Sequence, residues 1–236
     1  MVSVEYIIQQ VKEKLNKADS GDYDNMQETK ILTAYNEGRL DWLRRNLTGM
    51  NLRKEGDEAS KRRMTDYSVI TTLPEELQIA KKDGYYLTQK LSDQYFEFRR
   101  LILTAKNACC ENTREMVCYL VGESNVSIYH RSKDQKPSYQ WGETYCTMND
   151  HRLVIYTNDE FEIEKAELVY YRYPKTVTKQ GVYDLESGAF ATQTVGCEFK
   201  KDLVKLFILE AVKIISGNIE SFNTNQISSS QVEENN

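Results

Sequence analysis

The chain has 236 residues, 28% of them charged, and a formal net charge of −5, which is room for one sizeable core or one domain with an appended subdomain. The acidic balance argues against broad binding to a phosphate backbone, and no apolar run reaches the ~20 residues that cross a bilayer. The opening stretch MVSVEYIIQQVKEKL lacks the basic start and apolar block of a signal peptide, so the expectation is a protein made in a cytoplasm, with no membrane partner.

Val4, Ile7, Ile8, Val11 and Leu15 recur at helical spacing and predict a first helix with one apolar stripe. A polar turn, NKADSGDYDN, follows. A second helix is predicted over roughly residues 26–48, with Asn25 as N-cap, Glu28 three residues on, and Ile31, Tyr35, Trp42, Leu43 and Leu47 as its contact face. Residues 48–66 hold two glycines and many charges, and read as a solvated loop in which Glu55, Asp57 and Glu58 offset the basic run SKRRM.

From Tyr67 onward the texture becomes strand-like. SVITTLPEEL reads as a strand running into a Pro-started turn or short helix that Gly84 ends. YFEFRRLIL, residues 95–103, favours a strand over a helix. EMVCYLVGESNVSIYH predicts a hairpin turning at Gly122–Asn125, and YHRSKDQKPSYQW reads as a polar hairpin tip. RLVIYTN and KAELVYYRYP add two strands, the second stopped by Pro174. In that strand Leu168, Tyr170 and Arg172 point one way, and Val169, Tyr171 and Tyr173 the other. Neither face is polar, which implies that both are covered, one of them by a neighbouring chain.

KQGVYDLESGAFATQTVG is expected to be irregular. EFKKDLVKLFILEAVKIISG, residues 198–217, predicts a helix apolar nearly all round and therefore buried nearly all round, with Gly217 as its C′ residue. SFNTNQISSSQVEENN closes the chain as a polar tail of low complexity.

Chemistry-bearing patterns are sparse. His130 and His151 lie in polar company, with no C-x-x-C, H-x-x-x-H or His–carboxylate cluster beside them. Cys109, Cys110, Cys118, Cys146 and Cys197 are odd in number and read as small apolar residues rather than a disulfide framework. No nucleophile elbow or phosphate-cradling glycine loop appears, and Glu75/Glu76 and Asp159/Glu160 are adjacent in sequence rather than convergent. The expectation is a protein that is not an enzyme and uses no cofactor and no metal. Tyr129, Tyr139 and Trp141, with interleaved basic residues, leave open a small single-stranded nucleic-acid-binding protein that stacks bases on these rings. The 16 tyrosines are the compositional outlier, and tyrosine is favoured where a wetted surface is later buried against protein.

The order of segments in the C-terminal third carries a resemblance. A tyrosine-rich strand ends in YYRYPKTV, a linker holds VYDLESG, and CEFKKDLVKLFILEAVKIISGNIES follows. With ILTAYNEGRLDWLRRNL and LPEEL further upstream, this succession resembles the head–tail adaptor (connector) proteins of podovirus-type tailed bacteriophages, most of all those of crAss-like phages. The resemblance implies an α+β fold: a small helical bundle of two N-terminal helices and the C-terminal helix, with an inserted antiparallel β-domain and an extended C-terminal tail. The expected division is 1–50 N-terminal helices, 51–66 charged loop, 67–197 β-rich domain, 198–217 closing helix and 218–236 tail. It implies a virion protein at the head–tail junction, assembled in the bacterial host cytoplasm as a homo-oligomeric ring, a dodecamer in the family. Its partners would be the portal protein, further tail or ring proteins, and packaged DNA passing through the channel without sequence-specific binding. Another tail ring or a tail-completion protein is the alternative within the same class. The candidate subunit-interface residues are Tyr170, Tyr171, Tyr173, Phe222 and Ile227.

Overall fold

The computed structural model describes residues 1–18, 26–47, 66–107, 112–132 and 135–218. They fall into two compact units, one of residues 1–69 and 174 onward, the other of residues 70–173.

The first unit is helical. Helix α1 runs Val4–Ala18 and α2 Glu28–Leu47, and the closing helix of the chain runs Lys201–Asn218. Val4, Ile7, Val11 and Leu15 of α1 are buried, as are Ile31, Tyr35, Trp42 and Leu43 of α2; Leu47 is only half-buried. The Phe207 ring of the closing helix sits edge-on to Trp42 at 5.3 Å, to Phe199 at 5.3 Å and to Tyr35 at 6.3 Å, a geometry in which ring edges meet ring faces. Gly38 allows α2 and the closing helix to touch. A Cβ built there would lie 2.9 Å from Glu210 Cβ and 3.1 Å from the Ala211 backbone nitrogen. The closing helix continues through Gly217, which is therefore an interior residue and not the C′ cap. The segment 179–196 is not irregular throughout, for it forms a small hairpin pairing Tyr183–Asp184 with Ala189–Phe190. Gly188, at φ 67°, turns it.

The second unit is a single eight-stranded sheet. Its strands are β1 (Glu75–Leu77), β2 (Ile79–Lys82), β3 (Tyr85–Thr88), β4 (Tyr95–Asn107), β5 (Thr113–Leu120), β6 (Glu143–Asn149), β7 (Arg152–Tyr156) and β8 (Phe161–Arg172), in the order β1-β8-β4-β5-β6-β7-β3-β2. The end strands β1 and β2 are separated in sequence by Gln78 alone. The sheet therefore curls until its two ends belong to one bent stretch of chain, a nearly closed barrel that leaves little open edge. Its concave face is filled by its own side chains, among them Leu101, Leu103, Met116, Cys118, Cys146, Leu153, Ile155, Phe161, Ala166 and Leu168.

This sheet overturns the expected fold class. The expectation was a small antiparallel domain inserted in a helical bundle; the described residues are dominated by a large mixed sheet accompanied by four α-helices. Two local departures explain it. The expected hairpin over 116–130 does not form. After β5 the chain makes a short 3₁₀ turn at Glu123–Asn125 and then helix α3, Val126–Arg131. It returns to lay β6 parallel to β5, with Val117 opposite Glu143 and Leu120 opposite Cys146. Parallel neighbours need a long crossover, which a tight hairpin cannot supply. In YHRSKDQKPSYQW, residues 129–131 accordingly end a helix and residues 138–141 form a turn, rather than a hairpin tip. The second departure is at Pro74, where no helix starts. Residues 75–88 are strands, and Gly84, at φ 77°, turns β2 into β3.

Asp150 and His151 both hold positive φ, 49° and 56°, between the paired residues Asn149 and Arg152. This is the twist that a two-residue turn requires to join β6 to β7. Hereafter the strands Tyr183–Asp184 and Ala189–Phe190 are β9 and β10, and the closing helix is α4. Among the described residues no helix is long and apolar enough to cross a membrane.

Candidate interaction surfaces

Alternation along β5 sends Met116 and Cys118 into the barrel and Val117 and Tyr119 outward. β5 lies between β4 and β6, pairing with β4 over Thr113–Cys118 and with β6 over Val117–Leu120, while its outer side chains stay in solvent: Val117 is 47% exposed and Tyr119 51%. Ile102 on β4 stands opposite Val117 in register. Trp141, in the turn before β6, is 73% exposed, and Ile128 on α3 is exposed as well.

The strands beside this surface are covered. Tyr145 on β6 stacks on Tyr156 of β7 at 5.0 Å, and α3 lowers Tyr129 and His130 onto them, with ring centroids 5.3 Å and 5.9 Å from Tyr145. His130 Nδ1 and the Tyr145 hydroxyl are 2.6 Å apart. Burial pushes the Tyr145 phenol up to about 12. The outer wall thus has one half sealed by α3 and one half, along β5, left apolar and wet.

The turn carrying Trp141 is held in place. Ser138 and Glu143 form a bridge, and the Arg114 guanidinium donates to the Tyr139 and Gln140 carbonyls at 3.1 Å and 2.7 Å. A Cβ at Gly142 would meet that guanidinium at 3.0 Å, so Arg114 packs against the backbone of the turn. Arg114 forms no ion pair among the described residues.

The helical unit has a surface of its own at the β9–β10 hairpin. Tyr183 and Phe190 touch at 5.3 Å, yet both are exposed, as is Leu185 at the tip. Asp184 Oδ1 accepts the Glu186 amide at 3.2 Å and Gly188 donates its amide to the Asp184 carbonyl at 3.0 Å, so the tip is braced. Neither Asp184 nor Glu186 forms an ion pair among the described residues.

The candidate interface tyrosines do not share one surface. Tyr170 is 6% exposed and lies in the barrel core with its ring 5.4 Å from Tyr95; burial raises its pKa, with Glu75 adding to the shift. Tyr171 is half-buried under the Arg99 guanidinium, 5.7 Å from the ring centroid. Tyr173 is 41% exposed and edge-on to Phe96 at 4.8 Å. Phe222 and Ile227 lie outside the described residues. The surfaces at Val117–Tyr119 and at the β9–β10 hairpin were not singled out from sequence. The signal for the first was legible in TREMVCYL, where apolar residues occupy both parities of a strand. VYDLESGAF carried the second, as a turn flanked by aromatic residues.

The base-stacking trio is likewise separated. Tyr129 rests on Tyr145, and Tyr139 turns inward to Phe161 with its hydroxyl donating to the Asn112 carbonyl at 2.7 Å. Trp141 alone of the three is well exposed. Cys118, Cys146 and Cys197 are buried free thiols, while Cys109 and Cys110 lie outside the described residues. Among the described residues no three His, Cys, Asp or Glu side chains gather as metal ligands would. The helical unit carries an open groove of about 530 Å³ between α2 and α4, lined by Arg44, Arg45, Glu210, Lys213 and Ile214.

No family model matches this sequence, and no curated protein matches it.

Proposed function

We propose that the chain is a structural subunit that works by contact rather than by catalysis, a head–tail adaptor that forms a ring on the portal of a tailed phage. The observation that carries the contact part of this reading is the outward face of β5. Val117 and Tyr119 stand in solvent on a strand paired on both sides, and apolar patches rimmed by polar residues are where proteins meet proteins. The resemblance of the segment order from YYRYPKTV to the closing helix supplies the class of assembly. A ring needs two unlike contact surfaces on each subunit, and the chain has two exposed apolar surfaces on separate units, at β5 and at the β9–β10 hairpin.

Electron microscopy of the purified protein mixed with purified portal tests the reading. Added rings on one end of the portal are the expected result, and counting their subunits gives the stoichiometry. Chains left unattached at micromolar concentration overturn it. Attachment only to an already occupied portal moves the assignment to a later ring or a tail-completion protein. Salt-dependent binding of a single-stranded oligonucleotide, with the portal bare, moves it to the nucleic-acid class.

A further inference from the structure

We propose that Tyr145 is the described tyrosine at which this chain most readily gives up a single electron, with His130 taking the phenolic proton as the electron leaves. The proposal does not depend on ring formation.

The geometry sets a proton donor against a base. The Tyr145 hydroxyl and His130 Nδ1 are 2.6 Å apart, within the reach that proton transfer requires. Tyr145 is 1% exposed and its pKa is pushed up to about 12. At neutral pH the phenol therefore keeps its proton and, being buried, needs an acceptor for it. Nδ1 is that acceptor, which leaves the Nε2–H of the exposed His130 to water. Removing an electron from a phenol makes its O–H strongly acidic, and here the proton passes to Nδ1. The products are a neutral tyrosyl radical at Tyr145, an imidazolium at His130 and the reduced form of an outer-sphere one-electron oxidant.

The oxidant need not touch the buried ring. Tyr129, Tyr145, Tyr156 and Tyr85 form a row whose successive ring centroids are 5.3, 5.0 and 6.4 Å apart. Tyr129, Tyr156 and Tyr85 are half-buried, so an electron can leave through them while the radical settles where a base waits. Other phenols are served less well. Tyr139 donates to the Asn112 carbonyl, which is not a base. Tyr119 meets Glu143 only at 3.5 Å, and Tyr170 has Glu75 beside it; a carboxylate is a weaker base than imidazole.

The test is flash photolysis of the full-length chain with a photogenerated ruthenium(III) polypyridyl complex, following the tyrosyl radical by absorbance and electron paramagnetic resonance. Circular dichroism checks that each variant is folded. Tyr145→Phe is expected to lose most of the radical signal, whereas Tyr183→Phe, which removes an exposed ring on the hairpin, keeps it. His130→Phe is expected to form the radical roughly tenfold more slowly, the rate equivalent of about 1.4 kcal/mol, and to lose the slowing that the wild type shows in heavy water. His130→Gln keeps a hydrogen-bond acceptor without basicity and is expected to be as slow as His130→Phe, which separates proton uptake from packing of the helix. A Tyr145→Phe chain with the wild-type radical yield overturns the proposal. So does a His130→Gln chain with the wild-type rate, or a Tyr183→Phe chain that loses as much signal as Tyr145→Phe.

Discussion

Asn36 and Val177 exchange two hydrogen bonds, the Asn36 Nδ2 donating to the Val177 carbonyl and the Val177 amide donating to the Asn36 Oδ1, both at 3.1 Å. One buried side chain on α2 thus imitates a strand neighbour for the chain leaving Pro174. Three residues along α2, Arg39 adds a third bond by donating from Nη1 to the Lys175 carbonyl at 2.9 Å. Asn36→Ala leaves a buried amide and carbonyl unpaired, and the expected loss is about 3 kcal/mol of unfolding free energy. Urea denaturation measures it; a loss below about 1 kcal/mol would mean that water replaces both bonds.

Gly38 sets a second expectation, opposite in sign to helix propensity. In a free helix Gly→Ala gains about 1 kcal/mol. Here the new methyl meets Glu210 Cβ and the α4 backbone at 2.9–3.2 Å, and backbone cannot swing away as a flexible side-chain end can. Gly38→Ala is expected to be net destabilising, by about 1–3 kcal/mol, read from the same denaturation curves. A stabilised variant would show that α2 and α4 can move apart freely.

Glu210 is buried on α4 and paired with Arg45 of α2. Removing one partner of such a pair costs more than removing both, because it strands a desolvated charge. Arg45→Ala is expected to cost about 3 kcal/mol, whereas Arg45→Met with Glu210→Leu stays within about 1 kcal/mol of wild type. A double-mutant cycle with Arg45→Ala and Glu210→Ala reports the coupling. Additive single losses would mean that the pair contributes nothing as a pair.

Tyr145 gives a pH expectation. Its folded pKa, pushed up to about 12, lies above the ordinary value of 10.0. Between those values the unfolded chain releases the phenolic proton while the folded chain keeps it, so stability falls as pH rises through that window. Tyr145→Phe removes this contribution. The expected result is a shallower loss of stability between about pH 10 and 12 in the variant than in the wild type, followed by thermal unfolding. Parallel curves would place the raised pKa elsewhere in the aromatic cluster.

The helices were legible because each satisfies one local rule at one period. Val4, Ile7, Val11 and Leu15 are buried where a 3.6-residue repeat puts them, and the apolar run from Leu203 to Ile215 is a buried helix for the same reason. Arg39 and Glu210 break that rule. Both are charged and both are buried, and nothing in their neighbours along the chain announces it, because their partners lie 136 and 165 residues away. NVSIYH was misread for a related reason: its β-branched and aromatic residues suit a strand equally well. The choice of helix is made by Tyr145 and Tyr156, which give Tyr129 and His130 a surface to rest on.

From residue order alone came the number and place of the long helices, the strands β4, β5, β7 and β8, and an abundance of aromatic surface, since periodicity and composition are local properties. Closure of the sheet at Gln78, the parallel β5–β6 pair, the burial of Tyr170 and the exposure of Val117 and Trp141 came only from the folded chain. A strand carries no record of which neighbour will cover its second face. That is settled when distant segments meet and the apolar area they hide outweighs the entropy of bringing them together.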